Sequence, residues 1–165
     1  MGADPLRRAV ARLSRGDLLL LIALLAAFGV VDALYLTVQW YEAASASWCD
    51  FGSFFNCTTV RESAWASFGG VLPTSLVGVA GFAVLLALAV LGLRGVARVG
   101  PWSVDRWLLG FAVLGSLVGL GLTFVELFDI RAVCVLCALG FALDLGILWV
   151  ADLPAQEYED AGAGG

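Results

Sequence analysis

The 165-residue chain has no histidine, and its nine basic residues are all arginine, so lysine is missing too. Without histidine it lacks the side chain that titrates near neutral pH and the commonest nitrogen ligand for metals. Charged residues make up only 14% of the chain and the net charge is −5. No cluster of arginines is dense enough to read as a nucleic-acid surface. Chemistry is therefore left to cysteines, carboxylates or a bound small molecule.

Apolar residues, by contrast, make up 61% of the chain, and the mean hydropathy is +0.96. A water-soluble core of this size has no room to hide so much apolar surface. The composition implies an integral membrane protein of one domain. A spanning helix needs about 20 apolar residues, and four segments qualify: about 18–40, 71–93, 107–128 and 133–150. Pro73 suits the first turn of the second helix, where a missing N–H costs nothing. The first apolar run exceeds a signal-peptide core and has no small-residue cleavage pattern after it, so it is expected to remain as a span.

Arginine placement gives the orientation. Arg7, Arg8, Arg12 and Arg15 precede the first span, and Arg94, Arg98 and Arg106 lie between the second and third. Only Arg61 and Arg131 fall on the other side. The positive-inside rule then puts both termini in the cytoplasm and the 41–70 loop outside. The expected organisation is a cytoplasmic segment 1–17, an all-α four-helix membrane domain 18–151, and an acidic cytoplasmic tail 152–165. Trp40, Tyr41, Trp48, Trp65, Trp102 and Trp107 lie near span ends, as interfacial aromatics do.

All four cysteines fall on the outer side of this arrangement, where disulfides persist. Cys49 and Cys57 stand in the loop "WCDFGSFFNCTTVRESAWASFGG", with Gly52 and Ser53 available for a turn between them. Thr59-x-x-Glu62 has the form of a capping box, predicting a short helix from about Thr59. Val60, Ala64, Trp65 and Phe68 fall mainly on one side of that helix, as suits a cap lying at headgroup level over the bundle. Cys134 and Cys137, in "RAVCVLCALG", open the fourth helix. A helix N-terminus favours a thiolate, and Cys137 lies one turn deeper on the same face. Four cysteines allow three pairings, and a relay by thiol–disulfide exchange passes through more than one of them. Two structural disulfides in a scaffold protein are the plainer reading. A four-cysteine zinc site fits poorly, because zinc pairs favour shorter spacings than that of Cys49 and Cys57.

Three carboxylates fall in or near the spans. Asp32 and Asp144 are expected to face the bundle interior, either hydrogen-bonding a ligand or a neighbouring helix. Glu126 reads as interfacial and structural. Gly115, Gly119 and Gly121 of "GSLVGLG" read as close helix packing rather than as ligand contacts.

Taken together, "CDFGSFFNC", the serine six residues beyond it (Ser63) and "CVLC" opening a fourth helix resemble the vitamin K epoxide reductase family, over about 18–150. In the other bacterial family of quinone-linked membrane oxidants the Cys-x-x-Cys comes first in the chain and the spaced pair second; here that order is reversed. The resemblance implies a four-helix bundle around a quinone pocket, capped by the loop. It implies that Cys137 contacts the quinone, that Cys134 pairs with it, that Cys57 reaches Cys134, and that Cys49 meets an external thioredoxin-like protein. Ser63 matches a family serine near the active pair. Thr74 and Phe141 match positions where vertebrate members carry asparagine and tyrosine, and these differences set the chain apart from the vertebrate enzymes.

The expected function is that of a quinone-linked thiol–disulfide oxidoreductase in the cell membrane, supporting disulfide formation. Its co-substrate is a quinone of the menaquinone, ubiquinone or vitamin K type, with no metal. Because the chain ends in an acidic tail, the thioredoxin-like partner is expected to be a separate protein. The alternatives are a vitamin K quinone or epoxide reductase drawing electrons from thiols, and a non-enzymatic scaffold with two structural disulfides.

Overall fold

The computed structural model describes residues 14–42 and 47–162, with side chains through Leu153. Arg7, Arg8 and Arg12, and the charges of the tail beyond Leu153, lie outside the described side chains. Helix α1 spans Arg15–Tyr41, and a short α2 spans Cys57–Arg61. Helix α3 spans Ser75–Leu93, α4 spans Val104–Val125, and α5 spans Val135–Gly162. The four long helices are each long and apolar enough to cross a membrane. Where no water can satisfy the backbone, runs of Leu, Ala and Val close their own hydrogen bonds as helices. Large side chains such as Phe28, Leu120 and Phe124 are left exposed on the outside of the bundle, a surface suited to acyl chains.

The helix ends depart from the sequence expectations for local reasons. Helix α1 begins three residues early because Ser14 and Asp17 form a capping box. Helix α3 begins at Ser75, later than 71, because Leu72–Pro73 pairs with Ser67–Phe68 in a two-residue hairpin (β1 and β2). Pro73 therefore precedes the helix instead of occupying its first turn. Helix α4 starts at Val104, where Ser103 accepts the Arg106 N–H at 3.3 Å. Arg98–Val99 and Trp102–Ser103 form a second small hairpin (β3 and β4) leading into it. Beyond α4 the chain widens into a π-helical turn, Glu126–Ile130, which carries it past 128, the expected end of the third span. Arg131 then takes a left-handed conformation with φ 57°. Helix α5 continues past 150 and through Pro154 to Gly162.

In cross-section the helices form a ring, with α1 between α3 and α5, and α4 closing the gap between α3 and α5. One end of the ring is solid. Ile22 and Ala26 of α1, Leu85 and Ala89 of α3, Leu108 of α4 and Ile147 of α5 are buried against one another there. Gly29 lets α1 approach the Phe82 ring so closely that a Cβ at that position has no room. Thr37 hydrogen-bonds both Ala33 O and Ser75 Oγ at 2.8 Å, tying α1 to α3. The other end of the ring, where the cysteines lie, is hollow.

Candidate active site

The segment from Ser47 to Phe68 is a cap fastened to that hollow end. Phe55 bridges Val133 in parallel fashion. Val133 N–H donates to Phe54 O at 2.7 Å, and Asn56 N–H donates to Val133 O at 3.1 Å. Trp65 Nε1 donates to Asp129 Oδ2 at 2.6 Å, pinning the far side of the cap to the π turn. Arg61 donates to the Gln39 carbonyl at 3.1 Å, fixing it to α1.

Within the cap, α2 starts at Cys57 and not at Thr59. Asn56 is its N-cap, with Oδ1 accepting the Thr59 N–H at 2.7 Å, so Thr59 lies inside the first turn and the expected Thr59–Glu62 box does not form. The helix stops at Arg61. The predicted amphipathic helix is instead broken into a 3₁₀ turn, Ala64–Ala66, and strand β1. Strand β1 is held because Thr74 reaches back, its N–H to Ala66 O at 2.9 Å and its hydroxyl to Trp65 O at 2.8 Å.

Cys49 and Cys57 are joined in a disulfide. Gly52, at φ 137°, makes the turn between them. Asp50 braces the loop: its carboxylate accepts the Thr58 N–H at 3.0 Å, the Thr58 hydroxyl at 2.6 Å and the Ser47 N–H at 3.2 Å. Desolvation opposes the charge on Asp50, but these hydrogen bonds outweigh it and hold the carboxyl below its ordinary range. A disulfide sulfur carries no hydrogen, so the Ser47 hydroxyl must be the donor in its 3.1 Å contact with Cys49 Sγ.

Cys134 and Cys137 are free thiols. Cys134 stands just before α5, and its carbonyl accepts the Ala138 N–H at 2.9 Å. Its sulfur accepts the Cys137 N–H at 3.4 Å. That is the part an N-cap side chain plays, and it sets the sulfur against the open donors of the helix start. Cys134 therefore caps the helix, one position ahead of the first turn expected for it. Cys134 Sγ lies 3.2 Å from Cys57 Sγ. The parallel bridge through Val133 places it there, directly opposite the disulfide.

Below the cysteines lies a cavity of about 510 Å³, within the range of small-molecule sites. Of the residues singled out in the sequence, Cys57, Cys134 and Cys137 line it, as do Ser63, Thr74, Phe141, Asp32 and Asp144; Cys49 does not. Thr74 and Ser63 turn their hydroxyl hydrogens to Trp65 O and Val60 O, the latter at 2.7 Å, so both face the space as acceptors. Ser116 donates to Asp144 at 2.7 Å. Gly115 and Gly119 give room on α4 for Asp144 and Phe141, whereas Gly121 has no neighbour within 4 Å. The packing reading thus holds for two of the three glycines, and both seat cavity residues.

Residues 20–151 match the family model described as the vitamin K epoxide reductase family. The chain belongs to that family. Membership supports an oxidoreductase, and together with the four apolar helices it fits a multi-pass membrane protein. Among the described residues, no group of three or more Cys, Asp or Glu is arranged to hold a metal ion.

Glu126 departs from its sequence reading. It is buried, not interfacial, at 5% exposure. Its Oε2 accepts the Cys134 N–H at 3.2 Å, and it lines the cavity together with Cys137. A regular helix period does not predict this position. It depends on the π turn that begins at Glu126 and on the Ala132 N–H closing back to Glu126 O at 3.1 Å.

Proposed function

We propose that this protein moves electron pairs from a separate thioredoxin-like dithiol, through Cys49–Cys57 and then Cys134–Cys137, to a membrane quinone, and so sustains disulfide formation outside the cytoplasm. The observation that carries this reading is the 3.2 Å contact between Cys134 Sγ and Cys57 Sγ, above a cavity that Cys137 lines. Thiol–disulfide exchange needs a thiolate in contact with a disulfide sulfur, and here a free thiol meets one.

The cysteine states fit the point just after electrons have crossed the cap. A partner reduces Cys49–Cys57. Cys57 then attacks Cys134 of an oxidised helix pair and releases Cys137 as a thiolate. Cys49 next attacks Cys57, which closes the loop disulfide and frees Cys134. The products are a Cys49–Cys57 disulfide and a Cys134, Cys137 dithiol, the pattern found here. Cys49 is wholly buried in this state, so a partner thiol reaches it only when the surrounding loop shifts.

The cavity fits a quinone head. It is mostly apolar, and Asp32, Ser63, Thr74 and Asp144 provide a few polar groups along its lining. Bound there, the quinone supplies a two-electron acceptor. The chain's own residues shape the pocket, exclude water and bring Cys137 to its edge. Asp32 and Asp144 are the candidate groups for orienting the ring, with Phe141 packing against it. Topology follows the arginine bias, with both termini cytoplasmic.

The test is purified protein in detergent with a reduced thioredoxin-like donor and a soluble quinone, following quinol formation. Turnover that requires Cys137 is expected. Full turnover by Cys137→Ala rules the relay out.

A further inference from the structure

We infer that Glu126 is the proton acceptor for the Cys137 thiol when the dithiol reduces the quinone. This deepens the quinone-linked reading above and rests on it. Oxidation of the dithiol forms the Cys134–Cys137 S–S bond and releases two electrons and two protons. Both electrons pass to the quinone, which becomes the hydroquinone. The Cys137 proton must leave before its sulfur can act as a nucleophile. The cavity lining is mostly apolar, and the chain has no histidine to receive the proton.

Glu126 is placed for that step. It is buried, it lines the same cavity wall as Cys137, and the Cys134 N–H anchors it at 3.2 Å to the start of the helix that carries both cysteines. The carboxylate is thus bonded to one member of the reacting pair and shares a cavity wall with the other. It also lines the cavity, so the proton it takes has a short path to a quinone oxygen. The second proton comes from the Cys134 thiol, which lines the same cavity, so two electrons and two protons leave the dithiol and the quinone gains both pairs. The ionisable groups around Glu126 are Cys134, which caps α5, Cys137 of α5, and Arg61 of α2, which lines the same cavity. From the cap comes Cys57, which is held in the disulfide and does not titrate. Asp32 of α1 and Asp144 of α5 share the same cavity.

The deciding variant is Glu126→Gln. Its amide oxygen still accepts the Cys134 N–H, so the anchor is kept while the proton acceptor is lost. At neutral pH, quinol formation is expected to fall by about 100-fold, within the range of general-base effects. The rate should then climb roughly tenfold per pH unit as hydroxide takes over the deprotonation. Glu126→Asp should recover part of the neutral-pH rate. Alkylation of Cys137 by iodoacetamide provides a readout independent of quinone: in the glutamine variant its rate should move to higher pH. The Cys57–Cys134 link, trapped in a Cys49→Ala background, should still form, which shows that the cap and the helix pair remain assembled. Wild-type turnover with an unshifted pH profile in Glu126→Gln overturns the inference and leaves the relay standing. Absence of quinol formation by the wild-type protein sinks the relay itself.

Discussion

Cys134 Sγ lies 3.2 Å from Cys57 Sγ, although 77 residues separate them in the chain. The contact follows from backbone, not from a chance rotamer: Phe54 and Asn56 both hydrogen-bond Val133, the residue before Cys134. Cys49→Ala leaves Cys57 without its loop partner and free to attack an oxidised helix pair. A Cys57–Cys134 disulfide should then become the dominant oxidised species, with Cys137 alkylatable. Non-reducing peptide mass spectrometry checks this. If the linked peptide never exceeds trace levels under oxidising conditions, the cap does not hand electrons to Cys134.

Asp50 sets how firmly the cap disulfide is held. Its carboxyl sits below the ordinary range in the folded protein because Thr58 and Ser47 donate to the charged form. A depressed folded value contributes stability that is fully present above the unfolded value of about 3.9 and is lost as pH falls through the folded value. Resistance of Cys49–Cys57 to a phosphine reductant should therefore hold steady down to about pH 4 and weaken below it. Asp50→Asn should be reduced faster at pH 7 and show no such acid limb. An acid limb that survives in Asp50→Asn assigns the effect to another group.

Much of this architecture is legible in the sequence because the membrane imposes it. Four apolar runs become the four long helices, since no other open-chain structure satisfies its backbone in hydrocarbon. The cysteine spacing identifies the reacting pairs for a similar reason: exchange chemistry tolerates few arrangements. The cap was harder to read. Thr59-x-x-Glu62 has the letters of a capping box, yet Asn56 captures the Thr59 N–H first and moves the helix start to Cys57. The place of Glu126 is hidden from the sequence, because an acid near a helix end ordinarily faces headgroups. Only the π turn, closed by Ala132, directs it inward.

Trp65 ties the cap to the π turn through its 2.6 Å hydrogen bond to Asp129. A hydrogen bond to a charged acceptor contributes about 1.5–3 kcal/mol. Trp65→Phe keeps an aromatic side chain but deletes the donor, and the site is exposed, so the lower end of that range applies. The expected result is faster amide exchange across 57–68 and slower Cys57–Cys134 trapping, with the four-helix bundle unchanged by circular dichroism. Hydrogen exchange with mass spectrometry reads the first effect. Unchanged exchange across the cap means that the Val133 bridge holds it alone.

Gly119 decides how Phe141 sits in the cavity wall. The ring lies so close to the Gly119 Cα that an added Cβ overlaps it. Phe141 also lines the proposed quinone space. Gly119→Ala must therefore either part α4 from α5 or swing the ring into the cavity. Overpacking of this kind costs about 1–3 kcal/mol. If the ring moves, the space for the quinone shrinks while the cysteines above keep their positions. KM for a soluble quinone should then rise about tenfold, the equivalent of ~1.4 kcal/mol within that range, with Cys57–Cys134 trapping unaffected. Gly121→Ala is the matched control, because nothing lies within 4 Å of the Cβ it adds; its kinetics should equal those of the parent. A Gly119→Ala protein with unchanged KM shows that the quinone does not occupy the space beside Phe141.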